Sequence, residues 1–263
     1  MSKLAIIYTT FLRDKLLSET VQSIQPQLSE NCILLIGDQG YPERKGLVYS
    51  SSSFIFTYYY PLPFDCGASY ARNYLIQRAK ELNCDYILMT ADSIKFIESY
   101  NFQPIIDFME MDPSIAKVGF NINDRLPWEF NLDLKDSFIL SISDEKIIHN
   151  SINYAKVDLC RNFFLGKTDA FINVPFDDEL KMASHEDHCW RLKLANYKTY
   201  YTDYISADYI NDKPEEYKIY RNRLKGEFRQ KLLKKYNINN WITYSPEVRN
   251  LFKQYRLEHP NCI

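Results

Sequence analysis

Residues 4–38 read LAIIYTTFLRDKLLSETVQSIQPQLSENCILLIGD, and this stretch decides the fold. Leu4-Ala5-Ile6-Ile7-Tyr8 is a short, nearly continuous apolar run, as expected of a strand covered on both faces. Leu12, Leu16, Leu17, Val21 and Ile24 then recur close to helical spacing, and Pro26 closes the helix. Cys32 to Ile36 is a second buried strand, running into Gly37-Asp38-Gln39-Gly40. The rhythm continues outward with a strand from Phe54 to Tyr60, a helix from Ser69 to Leu82, and a strand from Tyr86 to Met89 that ends at Thr90-Ala91-Asp92-Ser93. Strand, helix, strand, twice over, predicts an α/β fold on a parallel sheet. Ligands of such sheets collect at the carboxyl ends of the strands, which places Thr9, Thr10, Asp38 and Asp92 along one rim.

From about residue 97 the pattern is less regular. It predicts a helix near Pro104 to Met111, a strand near Lys117 to Asn121, and hairpin-like material from Phe138 to Ile148. A helix begins near His185, and a strand covers Thr199 to Tyr204. After Pro214 the character changes: residues 211–263 hold 12 Lys and Arg against 6 Asp and Glu, a net charge of +6 against −8 for the rest. Leu224, Phe228, Leu232 and Tyr236 fall on one stripe of a basic helix, so this extension is expected to pack on the main domain.

The 263 residues suffice for a substantial core without a disulfide or metal staple. A net charge of −2 gives no global preference for nucleic acid or membrane. Only 7 glycines leave no wide phosphate-cradling loop, which argues against a nucleotidyltransferase. The 6 cysteines are dispersed with no C-x-x-C pair, pointing to reduced thiols rather than a zinc site. The apolar run after Met1 is too short for a signal peptide, and no run of about 18 apolar residues could cross a bilayer. A cytoplasmic protein is expected.

Three segments could carry chemistry. In Asp65-Cys66-Gly67-Ala68-Ser69-Tyr70-Ala71-Arg72-Asn73, Arg72 could meet a diphosphate and Asn73 a second polar atom, or the segment is simply a capped helix start. Asp92, after its strand, suits ribose hydroxyls or a phosphate-bridging metal, and equally a turn. Asp177-Asp178-Glu179-Leu180-Lys181, followed by His185-Glu186-Asp187-His188, offers carboxylates for a general base, or acidic residues compensating a helix dipole. His185 and His188 stand at i and i+3, but no third zinc ligand of suitable spacing accompanies them.

Together these segments resemble the family 2-like GT-A glycosyltransferases, particularly the branch with fukutin-related protein and the ganglioside N-acetylgalactosaminyltransferases. The resemblance runs from Leu4 to about Arg221. Gly67 to Asn73 is similar to the family's G-x-S-x-x-R-N element, and Ile87 to Phe96 to its strand before the acidic metal motif. Val157 to Gly166 resembles the branch's N-F-F-L stretch, followed in register by Phe176-Asp177, Glu179-Leu180-Lys181 and His185-Glu186-Asp187.

The resemblance implies a GT-A fold: a Rossmann-like nucleotide-binding half over 1–96 merged with an acceptor half over 97–210, plus the helical extension 211–263. It implies a transferase, inverting in mechanism, that moves a sugar from a nucleotide-diphosphate donor, UDP-sugar favoured, to an acceptor hydroxyl. Asp187 takes the general-base role, with Glu186 the neighbour most easily confused with it. Thr9, Thr10, Arg13, Asp38, Asp65, Arg72, Asn73 and Asp92 fall to the nucleotide-sugar, and Asn162, Lys181 and His185 to the acceptor or donor sugar.

Two departures bear on the Mn2+ or Mg2+ such enzymes use. Of the usual acidic cluster, Ala91-Asp92-Ser93 keeps only Asp92, and a position often held by a metal-binding histidine reads Asp208-Tyr209. Weak or absent metal dependence, with Lys or Arg covering the diphosphate, is the expectation. The same departures suit a non-catalytic nucleotide-sugar or glycan-binding module. The acceptor stays open between a glycan, a protein and a modified nucleobase in DNA. The tail's Tyr217, Tyr220, Phe228, Tyr236 and Trp241 among basic residues could face a phosphate backbone or an anionic membrane, or simply dock.

Overall fold

The computed structural model describes residues 2–44, 56–123, 125–126, 129–182 and 184–258. In chain order the elements are β1 (Leu4–Thr10), α1 (Asp14–Ile24), β2 (Cys32–Asp38), β3 (Thr57–Pro61), α2 (Ala68–Glu81), β4 (Tyr86–Met89), β5 (Ile94–Lys95) and α3 (Gln103–Glu110). There follow β6 (Ile115–Ile122), β7 (Phe130–Leu134), β8 (Phe138–Ile142), β9 (Lys146–His149), β10 (Ile152–Val157) and β11 (Phe164–Lys167). The chain continues with α4 (Thr168–Asn173), α5 (Ser184–Leu194), β12 (Lys198–Tyr209), α6 (Glu215–Tyr236), β13 (Ile242–Tyr244) and α7 (Pro246–Glu258).

The large sheet runs β3-β2-β1-β4-β11-β6-β12-β10-β9, with β5 paired to β12. Its first four strands are parallel, and β11 enters antiparallel between β4 and β6. The β1 run is apolar throughout because both of its faces are covered. Leu4, Ile6 and Tyr8 join the core that includes α1 and α3, whereas Ala5 and Ile7 join the core that includes α2 and α4. A third core unites β7, β8 and β13 with residues of α5, α6 and α7.

One expected feature changes identity. The strands within Phe138 to Ile148 do not form a hairpin with each other, for β8 pairs with β7 in the small sheet and β9 pairs with β10 in the large one. The true hairpin turns at Asn150 and Ser151, both left-handed at φ 47° and 64°, as a tight two-residue turn requires. The third strand begins at Thr57, and Phe54 and Ile55 lie outside the described residues. The basic helix forms as α6, ending at Asn237 in the left-handed region (φ 52°), a common helix stop. Its Phe228 and Leu232 are buried, while the Leu224 side chain and all of Cys262 lie outside what is described. No described helix is long and apolar enough to cross a membrane.

Candidate functional site

The strand order reverses between β1 and β4, the crevice where open α/β sheets bind ligands. A cleft of about 560 Å³ opens there. The rim of β1 supplies Thr9, Thr10, Phe11 and Arg13, the end of β4 supplies Asp92 and Ser93, and α2 supplies Arg72. Asp65, Asn162, Lys181, His185 and Glu186 line it as well, so ten of the expected site residues meet in one place.

Asp92 is the pivot of the rim. Thr10 Oγ1 donates to it at 2.9 Å and Arg13 Nε at 3.1 Å, and a second Arg13 nitrogen takes the other carboxylate oxygen. Burial pushes this carboxyl up, and Arg13 and Thr10 oppose the shift. On the opposite side, Gly67 opens α2 with φ 94°, and its N–H donates to Gln39 Oε1 at 2.7 Å. The missing Cβ matters because one placed there would lie 2.5 Å from Lys181 Cγ. Lys181 thereby packs against the turn and pairs with Asp65 at 3.2 Å.

Three expected residues do not line the cleft. Asp38 accepts from the Gly40 N–H at 2.7 Å and from Tyr59 Oη at 2.6 Å, tying up its own turn, and Gln39 faces the cleft instead. Asn73 braces the loop before α5: Nδ2 donates to the Phe176 carbonyl at 2.8 Å and Oδ1 accepts the Phe176 N–H at 2.9 Å. Asp187 is fully enclosed and bound by Arg191 Nε at 2.9 Å, Lys235 Nζ at 2.6 Å and Tyr236 Oη at 2.8 Å. Successive helical residues project about 100° apart, so Glu186 looks into the cleft when Asp187 looks toward α6. Burial, with a smaller contribution from Asp187, pushes the Glu186 carboxyl up to about 7.

His188 is a core residue: its ring stacks on Phe176 at 3.9 Å and Nε2 bonds the Val174 carbonyl oxygen at 2.8 Å. Enclosure and the nearby Lys117 and Arg72 charges keep His185 neutral. Among the described residues no three His, Cys, Asp or Glu side chains come together as a metal cage. The β5–β12 pairing does bring Tyr209 alongside Ile94, next to Ser93, so the two altered positions meet in space. What fills that corner is cationic. The Arg125 guanidinium sits 3.9 Å from the Tyr209 ring centroid, and Arg13 occupies both oxygens of Asp92. This donor set, one carboxylate already committed and two arginines, does not fit a divalent ion that needs several free oxygens.

The C-terminal extension supplies residues that the sequence did not single out for the cleft. Lys213, Tyr217, Tyr220, Arg221 and Trp241 all line it. Tyr217 lies under the Arg13 guanidinium at 4.5 Å, and Tyr220 packs edge-on against Phe11 and Phe64 at 5.5 and 5.6 Å.

No protein-family model matches the chain, and no curated protein matches it in sequence. Solved structures do. A mannosyltransferase from Pyrobaculum calidifontis, in complex with GDP-Man and Mn2+, aligns at a TM-score of 0.61 and 11% identity, covering 99% of this chain and 71% of its own. GalNAc-T7 with UDP, GalNAc and Mn2+ aligns at 0.61 and 11%, over 99% of this chain and 55% of its own. S. aureus TarS, residues 1–349, aligns at 0.53 and 14%, over 76% of this chain and 60% of its own. The chain thus spans about three fifths of that TarS fragment. With the sheet order and the cleft at its switch point, these likenesses establish the fold as that of the GT-A glycosyltransferases.

Proposed function

We propose that the chain is an inverting glycosyltransferase that moves a sugar from a nucleotide-diphosphate donor, a UDP-sugar favoured, to an acceptor hydroxyl. The observation that carries this reading is Glu186: a buried carboxyl in the cleft, held near pH 7 and free of any salt-bridge partner among the described residues. A base so poised takes a proton at neutral pH without being locked in its ionised form. The base role that the resemblance assigned to Asp187 moves one residue back, since Asp187 is held by three donors from α5 and α6.

In the step itself, the Glu186 carboxylate removes the acceptor hydroxyl proton as that oxygen bonds to the sugar's anomeric carbon. The bond from that carbon to the phosphate oxygen breaks on the opposite face, and the electron pair leaves with the nucleotide diphosphate. The arginine-rich cleft stabilises the charge that grows there. The reading draws on the fold, on the cationic cleft and on the motif running from Val157 to Asp187.

The test is release of free nucleotide from a panel of UDP-, GDP-, TDP- and CMP-sugars, with and without chelator. Turnover of one donor, lost in Glu186→Gln, supports the reading and names the sugar. The commitment of Asp92 to Arg13 favours the second reading, a module that binds nucleotide-sugar or glycan without turnover. Donor binding that is indifferent to Glu186→Gln, with no turnover for any acceptor tried, would favour that module.

A further inference from the structure

Two guanidiniums, those of Arg72 and Arg221, line the cleft. Arg72 reaches in from α2, is 8% exposed, and leaves its buried Nε without a hydrogen-bond partner. The Phe176 ring lies 5.1 Å away and cannot neutralise a full charge. Arg221 reaches in from α6, its Nη1 donating to Tyr217 Oη at 2.7 Å. The Arg13 stack on Tyr217 and the Tyr220 contacts with Phe11 and Phe64 hold that turn of α6 against the β1 rim, so Arg221 stands on a built surface. The two charges sense each other: burial, then repulsion by Arg221, pulls the Arg72 guanidinium down to about 10.

A buried charge left without a partner is costly, and two of the cleft's three carboxylates are committed elsewhere, the third being the proposed base Glu186. Asp92 belongs to Arg13, and Asp65 pairs with Lys181. What such a pair lacks is an anion with two adjacent charged groups, each able to accept a guanidinium fork. A divalent cation in the same volume would be repelled by both arginines.

We propose that Arg72 and Arg221 form a diphosphate clamp that replaces the divalent cation, so that the C-terminal helix is an integral wall of the donor site. This rests on the donor being a nucleotide diphosphate, the reading given above. The clamp acts on the leaving group, and the growing negative charge is met by fixed guanidiniums rather than by a metal.

The experiment is calorimetric binding of UDP, inorganic pyrophosphate and uridine to the full chain, in excess EDTA and again with Mn2+. Arg221→Ala and Arg72→Lys are compared with Lys253→Ala, an exposed α7 change that removes the same charge away from the cleft. The expected result is UDP and pyrophosphate binding in EDTA, unchanged by Mn2+. Each clamp variant should weaken both by at least about 10-fold, leaving uridine and the Lys253→Ala protein unaffected. Arg221 is exposed, so its variant tests the clamp even if the Arg72 variant fails to fold. UDP binding that vanishes in EDTA and returns with Mn2+ would overturn the clamp while leaving the donor reading intact. Equal UDP affinity in Arg221→Ala would do the same, as would uridine binding weakened as much as UDP. Failure of both UDP and pyrophosphate to bind under either condition would overturn the clamp and remove UDP as the donor nucleotide.

Discussion

Replacing Glu186 with Gln should stabilise the protein in alkaline solution while abolishing turnover, an unusual combination for a buried position. Burial raises this carboxyl from its ordinary 4.5 to about 7. The folded protein therefore keeps a proton that the unfolded chain releases as pH rises past 4.5. Stability from this position is fully present below about pH 4.5 and is lost as pH climbs through 7. At about 1.4 kcal/mol per unit, the loss approaches 3 kcal/mol by pH 8. The amide in the Glu186→Gln variant would stay neutral and escape it. The stability gap between variant and parent should thus widen by about 3 kcal/mol from pH 4.5 to 8, a Tm difference of roughly 6–12 °C for a chain of this size. Thermal melts at half-unit pH intervals measure it. The same variant should lose roughly 10²- to 10⁴-fold in turnover, and the parent's kcat/KM should rise through pH 7 as the base ionises. A gap that stays flat with pH would refute the burial argument, and turnover retained by the variant would refute the base.

Asp187→Asn leaves Lys235 and Arg191 facing a neutral amide in an enclosed site, and should cost about 3–5 kcal/mol in urea denaturation. Below its melting temperature that variant should keep turnover within about 10-fold of the parent; a loss as deep as for Glu186→Gln would return the base role to Asp187. Gly67→Ala should destabilise by at least about 1 kcal/mol in thermal melts, because φ is 94° and the new Cβ would collide with Lys181. An unchanged Tm would mean that the turn can move away from Lys181.

The first half of the fold was legible because buried parallel strands announce themselves locally: β1, β2 and β4 are unbroken apolar runs, each ending at a polar rim. The β8 and β9 strands carry alternation but no local sign of their partners, except that the Asn150-Ser151 turn joins β9 to β10. At Glu186-Asp187 the ambiguity is physical. Two adjacent carboxylates on a helix differ only in which way the helix is rotated, and here Lys235 and Tyr236, 48 and 49 residues from Asp187, mark that rotation. Asp38 and Asn73 have the chemistry for ligands, but their backbone partners come from chain geometry that spacing alone does not reveal. For the tail, the apolar stripe of Phe228 and Leu232 was visible, whereas the turns carrying Tyr217, Tyr220 and Arg221 show no period that points at a cleft.

These observations make α6 more than a docked appendage. Arg221 near its start lines the cleft, and Lys235 and Tyr236 at its end hold Asp187, the neighbour of Glu186. Fourteen residues separate Arg221 from Lys235, about 21 Å along a helix axis. One rigid element thus carries a group proposed for the leaving diphosphate and holds the residue next to the proposed base. Between those ends, Phe228 and Leu232 are 3% and 0% exposed and pack with Leu132, Phe138 and Leu140 of the small sheet. Cutting the chain near residue 210 would therefore strip the core from that sheet as well as the cleft of its wall. An inactive truncation would say nothing about chemistry, and the roles of the two ends have to be separated by substitutions at Arg221 and Asp187, one at a time.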